Sequence, residues 1–164
     1  GETGGNPLQV KDLMKCPTPD AKKDCEKILK LFGSSGAEND PLLGPTRVSF
    51  ADCPMDEAWK QKALELHWPL SEVKSENSIN RIKGTAENPR FSERVPAGAE
   101  FAFRMTIKQL SKEEADLETF LLEGLKLLQM DAIGGSGSRG YGRIEFQFED
   151  PDIQNCFNAA SPLG

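Results

Sequence analysis

The sharpest chemical feature of the sequence is a glycine-rich segment, Gly134 to Arg143, which reads GGSGSRGYGR. Five of the nine positions from Gly134 to Gly142 are glycine, so the backbone can approach a ligand closely and turn its N–H groups toward an anion. The segment also carries two hydroxyl donors, a planar guanidinium group suited to phosphate, and a ring able to stack. It therefore predicts a phosphate-binding loop, with contacts from Gly135, Ser136, Gly137, Ser138, Arg139, Tyr141 and Arg143.

The order of elements around this loop argues against a nucleotide cofactor. The loop follows a predicted helix and precedes a predicted strand, whereas dinucleotide and P-loop fingerprints follow a strand and precede a helix. Neither Gly-x-Gly-x-x-Gly after a strand nor Gly-Lys-Ser/Thr is present. The alternative to a binding role is a flexible connection between helix and strand.

A second feature is the polar stretch over residues 69–97, which is rich in Ser, Asn, Glu, Lys and Arg and holds few large apolar side chains. A segment of this length and composition cannot bury itself, so it predicts a projecting hairpin or arm. Its charged and neutral hydrogen-bond donors suit contacts to phosphate and sugar groups, which do not depend on the base sequence. The candidate contacts are Lys74, Asn77, Arg81, Lys83, Arg90 and Arg94, and the alternative is a solvated surface hairpin.

The sequence offers little for catalysis. The single histidine, His67, stands beside Trp68 and Pro69 and is expected to have a partly buried packing role, so we assign no catalytic residue. Cys16 and Cys25 could supply half of a zinc site, but a tetrahedral site needs two further ligands. The alternative for these cysteines is an unpaired core thiol.

Composition places the chain among globular proteins. The 164 residues are 37% apolar and 28% charged, with a net charge of −6, so nucleic acid cannot be held by bulk charge and would need a local basic patch. No stretch has the ~18 consecutive apolar residues of a membrane span. The scattered cysteines and the lack of a signal sequence predict a reduced, cytoplasmic setting. The length predicts one domain over residues 1–164.

Periodicity outlines the elements that would position these features. A helix is expected from a cap at Asp20 to a stop at Gly33, and a second from Ser111, with a capping box at Glu114, to about Gln129. Alternation of apolar and polar residues predicts strands over 101–107 and 144–148. The remaining predictions are a strand over 46–51, a short helix or irregular arm over 56–67 and a frayed tail over 150–164.

The order of these elements is helix, strand, arm, strand, helix, glycine loop, strand. With one strand before the first helix it becomes β-α-β-β-α-β, the ferredoxin-like α+β plan of RNA-recognition folds. The opening strand is not obvious in this sequence.

Several motifs in one order resemble the RAMP superfamily of CRISPR effector proteins, and within it the repeated backbone subunit of the type III-A (Csm) complex. The motifs lie between about Lys27 and Phe148. They are Leu31-Phe32-Gly33-Ser34, Gly44-Pro45-Thr46-Arg47, Glu72-Val73-Lys74, Glu76-Asn77, Ile79-Asn80-Arg81, Asn88-Pro89-Arg90, Glu93-Arg94-Val95-Pro96-Ala97-Gly98 and, as the superfamily hallmark, the glycine loop Gly137-Ser138-Arg139-Gly140-Tyr141-Gly142-Arg143.

This resemblance implies a ferredoxin-like palm with a thumb over about residues 70–95. Copies of the chain would stack along a CRISPR guide RNA beside further subunits, with the glycine loop on the guide backbone and the thumb between guide and target RNA. The family's metal-dependent catalytic aspartate lies in an N-terminal region with no counterpart here. Cys16 and Cys25 lie where relatives often carry a zinc cluster. The alternatives are one domain of a fused multi-RAMP effector, or a protein-interaction domain without an RNA role.

Overall fold

The computed structural model of the protein describes residues 6–34 and 43–162. The helices are α1 (Pro19–Phe32), α2 (Glu57–Glu65), α3 (Asp116–Met130) and α4 (Pro151–Ala159). The strands are β1 (Val48–Phe50), β2 (Glu72–Asn80), β3 (Thr85–Arg94) and β4 (Met105–Ile107). Short 3-10 turns cover Val10–Lys15, Lys112–Glu114 and Gly137–Arg139.

The fold is a mixed α/β arrangement with two small antiparallel sheets, β1–β4 and β2–β3. The chain divides into two compact units, one of Gly1–Ser49 with Thr106–Gly164 and one of Phe50–Met105. No helix among residues 6–34 and 43–162 has the length and apolar character needed to cross a membrane. The described residues before α1 contain a 3-10 turn and no opening strand.

Helix α1 begins two residues earlier than a cap at Asp20 requires, so that prediction is wrong. The N-cap is Thr18, whose hydroxyl oxygen accepts a hydrogen bond from the Ala21 N–H at 3.2 Å. Pro19 then occupies the first helical position, where its missing N–H costs nothing, and Asp20 lies in the first turn. The predicted stop at Gly33 is confirmed, with a φ of +79° and an N–H bond to the Leu29 carbonyl.

The core of the first unit lies where α1, α3 and α4 supply buried apolar side chains. These are Leu29, Leu31, Leu117, Leu121, Leu122, Leu125 and Phe157. The predicted frayed tail is therefore wrong, since α4 carries Phe157, which is only 1% exposed. Asp150 caps α4 by accepting from the Asp152 N–H at 2.8 Å, and Pro151 occupies its first turn. A segment of nine residues with only two large apolar side chains, Ile153 and Phe157, gives little periodic signal, which is why the sequence pattern missed this helix.

Helix α3 forms as predicted, but its capping box does not. Ser111 makes no side-chain cap bond, and a 3-10 turn at Lys112–Glu114 precedes the helix. The Glu114 carboxylate instead pairs with the buried Arg47 guanidinium at 2.6 Å and accepts from the Leu110 N–H at 3.0 Å. The carboxylate thus bonds a charged partner in the core and the backbone N–H of Leu110, and not the backbone N–H of Ser111 that a capping box would use.

The predicted strand over residues 144–148 keeps its alternation without joining a sheet. Ile144, Phe146 and Phe148 are half-buried, whereas the residues between them are exposed. The Phe146 and Phe148 rings both pack on Phe157, with centroids 6.0 and 5.2 Å away. No strand in the described part of the chain pairs with this segment.

The second unit is built around α2 and a loop that returns past it. Asp56 caps α2 by accepting from the Trp59 N–H at 2.9 Å, and Trp59 and Ala63 are buried. The predicted strand over 101–107 is shorter than expected, because the Phe103 N–H bonds back to the Phe101 carbonyl at 3.0 Å and turns the chain. Only Met105–Ile107 remains as strand β4.

The hairpin is confirmed as strands β2 and β3, which pair antiparallel from Glu72 opposite Arg94 to Asn80 opposite Thr85. A register shift lies between Glu76 and Ser78, facing Asn88, whose φ of +52° is left-handed. At the tip, the Asn80 side-chain oxygen accepts from the N–H groups of Ile82 and Lys83 at 3.1 Å. Asparagine tolerates the left-handed conformation, and its side chain accepts bonds from nearby backbone N–H groups. These two properties explain its presence at the bulge and at the turn.

Candidate nucleic-acid interface

The glycine loop is closed at its neck by a backbone contact. The Ile133 N–H donates to the Gly142 carbonyl at 2.9 Å. Gly142 has a φ of +70°, and a β-carbon there would lie 1.9 Å from the Ile133 carbonyl oxygen. Only glycine fits this close approach, so the neck holds the loop in one geometry.

Beyond the neck, the backbone alternates between left- and right-handed turns. Ser136 has a φ of +61° and Gly140 a φ of +80°, and they flank the 3-10 turn Gly137–Arg139. The turn is held by N–H bonds from Arg139 to Ser136 and from Gly140 to Gly137, both 2.9 Å. Such alternation directs successive N–H groups to one side and forms concavities that bind anions.

The loop is open to solvent over the positions predicted to bind phosphate. Residues 133–140 are all exposed, and open space surrounds the α-carbons of Gly134, Gly135 and Gly140. Arg139 and Arg143 are also exposed. The segment Gly134–Arg143 contains no acidic residue, so the two guanidinium groups make it locally basic in an acidic chain.

Tyr141 does not belong to this exposed set. Its side chain is only 8% exposed and forms part of the core, so its ring is not accessible for stacking on a base. The sequence pattern missed this because it places Tyr141 between two glycines, where composition alone suggests exposure.

The hairpin presents two chemically different faces. One face carries charged side chains, with Glu72 opposite Arg94 and Glu76 opposite Arg90. The Arg94 Nε donates to the Glu72 carboxylate, so Arg94 serves the base of the hairpin. The other face carries Val73, Ile79 and Phe91, which are 68%, 71% and 73% exposed.

The tip of the hairpin is polar and exposed. Every residue from Arg81 to Arg90 is exposed, including Lys83, and Asn77 is exposed opposite the bulge. Lys74 is half-buried on the charged face. The predicted residues thus form two clusters, one on the loop in the first unit and one on the hairpin in the second.

Comparison with known proteins identifies the family. Residues 10–145 match the model of the RAMP superfamily. The chain belongs to the RAMP superfamily. The matched residues include the whole hairpin of β2 and β3 and the whole glycine loop, so both clusters of predicted contacts lie within the family domain.

Curated relatives of this RAMP chain carry one name. A protein of Methanothermobacter thermautotrophicus named CRISPR system Cms endoribonuclease Csm3 is 38% identical over 138 residues, covering 75% of this chain and 54% of the relative. Proteins of the same name from Methanocaldococcus jannaschii and Streptococcus thermophilus are 37% and 35% identical over 126 and 127 residues. Each alignment covers 76% of this chain, and 48% and 56% of the relatives. The chain spans about half the length of the curated relatives it matches.

The described residues of this RAMP chain do not fit a metal site. Across residues 6–34 and 43–162, no three His, Cys, Asp or Glu side chains are grouped as metal ligands. Cys16 and Cys25 are half-buried and form no disulfide, and the Cys16 Sγ lies 3.6 Å from the Asp12 carbonyl oxygen.

His67 is not the packing residue that its neighbours suggested. It is exposed after the end of α2, with a left-handed φ of +56°. The Trp68 N–H reaches back to the Ala63 carbonyl at 2.8 Å, which is the bonding that ends a helix at a left-handed residue. His67 therefore terminates α2.

Proposed function

We propose that this chain is an RNA-binding backbone subunit of a type III-A CRISPR complex, which binds the guide RNA together with further copies of itself and other subunits. The observation that carries the proposal is the exposed, locally basic glycine loop with its neck fixed at Gly142. Membership of the RAMP superfamily, and relatives named Csm3, support it.

The loop would hold the guide through its backbone. Small residues at Gly135, Gly137 and the two serines let a ribose-phosphate chain lie against the turn, where N–H and hydroxyl groups donate to phosphate oxygens. Arg139 and Arg143 add charge-assisted bonds, which are the stronger kind. None of these groups contacts a base, so binding would be independent of the RNA sequence. A subunit that is repeated along a guide RNA needs this property, because each copy meets different bases.

The hairpin would act as the thumb. Its polar tip, with Arg81 and Lys83, suits phosphates, and Arg90, Lys74 and Asn77 add donors nearer the base. Phe91, Val73 and Ile79 give it an exposed apolar face, and aromatic and apolar side chains of this kind pack on unstacked bases. This chemistry supports a position between guide and target RNA. Among the predicted RNA contacts on the hairpin, Arg94 is the one we expect to contribute least, since its guanidinium group is bonded to Glu72.

We further propose that the domain follows the ferredoxin-like β-α-β-β-α-β plan. Strands β1 and β4 pair with each other and would be its middle strands, α1 and α3 its two helices, and residues 144–148 its last strand. The alternating burial of residues 144–148 supports that role. The finding that would overturn it is an experimental structure in which these residues pack as anything other than a strand.

Target cleavage is not assigned to this chain. The relatives are named endoribonucleases, but the described residues offer no metal-ligand group. We expect the purified chain to leave target RNA intact in the presence of divalent metal. Metal-dependent cutting at regular spacing would contradict this.

Binding of labelled single-stranded RNA at several salt concentrations tests the proposal. Fluorescence anisotropy should show affinity falling steeply with salt, because lysine and arginine release counterions from phosphate. Arg139→Ala should weaken binding of two unrelated RNA sequences equally and reduce the salt slope by about 0.7 for one lost contact. Arg104→Ala, at an exposed arginine outside both clusters, is the matched control.

The competing function is a protein-interaction domain, which the net charge of −6 favours. Absent or salt-independent RNA binding would support that alternative and overturn the proposal. A RAMP domain of a fused effector would bind RNA in the same way. The length of the chain encoded in the starting gene distinguishes that case.

A further inference from the structure

The turn at the tip of the hairpin is organised around one side chain, that of Asn80. Its Oδ1 accepts from the N–H groups of Ile82 and Lys83, both at 3.1 Å. The Asn80 backbone carbonyl accepts from the Gly84 N–H at 2.8 Å, and Gly84 has a left-handed φ of +67°. Asparagine side chains that bond the backbone a few residues further on close a turn in one shape. The turn is therefore tied to Asn80 by three hydrogen bonds.

A further bond decides which way the Asn80 amide points. The Asn80 Nδ2 donates to the Glu87 Oε1 at 3.1 Å. A carboxylate can only accept hydrogen bonds, so Glu87 takes the NH₂ end of the amide and leaves the Oδ1 end for the turn. Glu87 thus fixes the amide orientation on which the turn depends.

The bulge in the hairpin makes the bond between Asn80 and Glu87 possible. With the register shift, Glu87 lies opposite Ser78, on the strand face that also carries Asn80. Without the shift, Glu87 would lie opposite Ile79. Because successive residues of a strand point to opposite faces, Glu87 would then be on the face away from Asn80.

The turn presents two cations. Arg81 and Lys83 are exposed, and residues 81–86 contain no Asp or Glu. Within the described part of the chain, neither side chain makes a hydrogen bond or an ion pair. The first carboxylate after the turn is that of Glu87, which is bonded to Asn80. The two cations are therefore available on a turn of fixed shape.

We propose that Asn80 is a positioning residue for RNA binding by the hairpin. It acts through Arg81 and Lys83, by holding them on a turn that is shaped before RNA arrives, and not through a contact of its own. Ordering a loop during binding costs affinity, and a preformed loop avoids that cost. The inference rests on the proposed function.

Fluorescence anisotropy with a labelled RNA, as a single strand and annealed to its complement, tests the inference. Asn80→Ala should weaken binding about fivefold, the size of one lost hydrogen bond. The salt slope should stay unchanged, because both cations still reach phosphates. Ser78→Ala is the matched control. Ser78 lies on the same strand face, and its side chain makes no hydrogen bond to a residue that the structure describes.

A double-mutant cycle separates positioning from a general effect on folding. The variant with Arg81→Ala and Lys83→Ala should reduce the salt slope by about 1.4, for two lost contacts. In that background Asn80→Ala should weaken binding less than about twofold, because the cations through which it acts are gone. A merely structural role would keep the full loss.

Amide exchange at Ile82 and Lys83 without RNA examines the turn directly, and it should be faster in Asn80→Ala than in wild type. Unaltered amide exchange, unchanged RNA affinity of Asn80→Ala, or a full fivefold loss in the background without the two cations overturns the inference. Each of these leaves the proposed function standing, since Arg139→Ala tests RNA binding by the glycine loop. Wild type that binds no RNA overturns the proposed function and the inference with it.

Discussion

The Arg47 Nη2 lies 2.6 Å from the Glu114 Oε1, and both residues are almost fully buried, at 5% and 6% exposure. The Arg47 Nε bonds the same carboxylate at 3.2 Å, and its Nη1 donates to the carbonyls of Leu43 and Pro45. The pair ties the residue before β1 to the turn before α3, across 67 positions of sequence. It therefore holds the first unit together at a point that no local pattern reveals.

Glu114→Gln should strongly destabilise the protein. The substitution leaves the buried Arg47 guanidinium without its counter-charge, and breaking one side of a buried pair costs about 3–5 kcal/mol. Urea unfolding should report this loss, while the exposed neighbour variant Glu113→Gln should stay within about 0.5 kcal/mol of wild type. An unchanged midpoint for Glu114→Gln would mean that the pair is not formed in solution.

The same pair predicts acid sensitivity. Hydrogen bonds from Arg47 and from the Leu110 N–H lower the pKa of Glu114 from 4.5 to about 2. A carboxylate with a depressed pKa in the folded state contributes stability above its unfolded pKa and loses it as pH falls through the folded pKa. Stability should therefore fall between about pH 4.5 and pH 2, by up to about 3 kcal/mol for this group. The difference between wild type and Glu114→Gln should shrink across that interval, and a constant difference would contradict the prediction.

Gly142→Ala should disrupt the neck of the glycine loop. A β-carbon there would lie 1.9 Å from the Ile133 carbonyl oxygen, at a φ of +70°. The left-handed strain alone costs about 1–3 kcal/mol, and the collision adds to it, so we expect lower stability and weaker RNA binding. Gly135→Ala is the matched stability control, because open space surrounds its α-carbon. Equal stability of the two variants would show that the neck is not closed.

Phe157→Ala tests whether α4 belongs to the core. The ring is 1% exposed, packs on Phe146 and Phe148, and lies 4.7 Å from the Lys126 ammonium. Truncating such a ring costs about 3–5 kcal/mol, measurable by thermal or urea unfolding. Asn158→Ala, on the exposed side of the helix, should have little effect. A small effect at Phe157 would restore the interpretation of this region as a frayed tail.

Much of the fold follows from local patterns. Apolar spacing predicted α1 and α3, and the polar composition of residues 69–97 predicted the hairpin, because both signals depend only on near neighbours along the chain. The segment 143–149 is the intermediate case, since its alternation predicted its burial but could not say whether a partner strand is present. The two glutamine side chains that occupy one of its edges come from α3 and α4.

The sequence by itself determined where the chain could bend sharply and where it would stay exposed, since the glycines at 134–142 and the polar arm act through their own backbone freedom and solvation. Only the tertiary structure decided which of those residues face solvent. Tyr141 is buried and Glu114 bonds Arg47 rather than a helix cap, because a buried ring or charge takes whatever distant partner the packed core offers. Such choices depend on contacts between residues far apart in sequence, and spacing along the chain does not encode them.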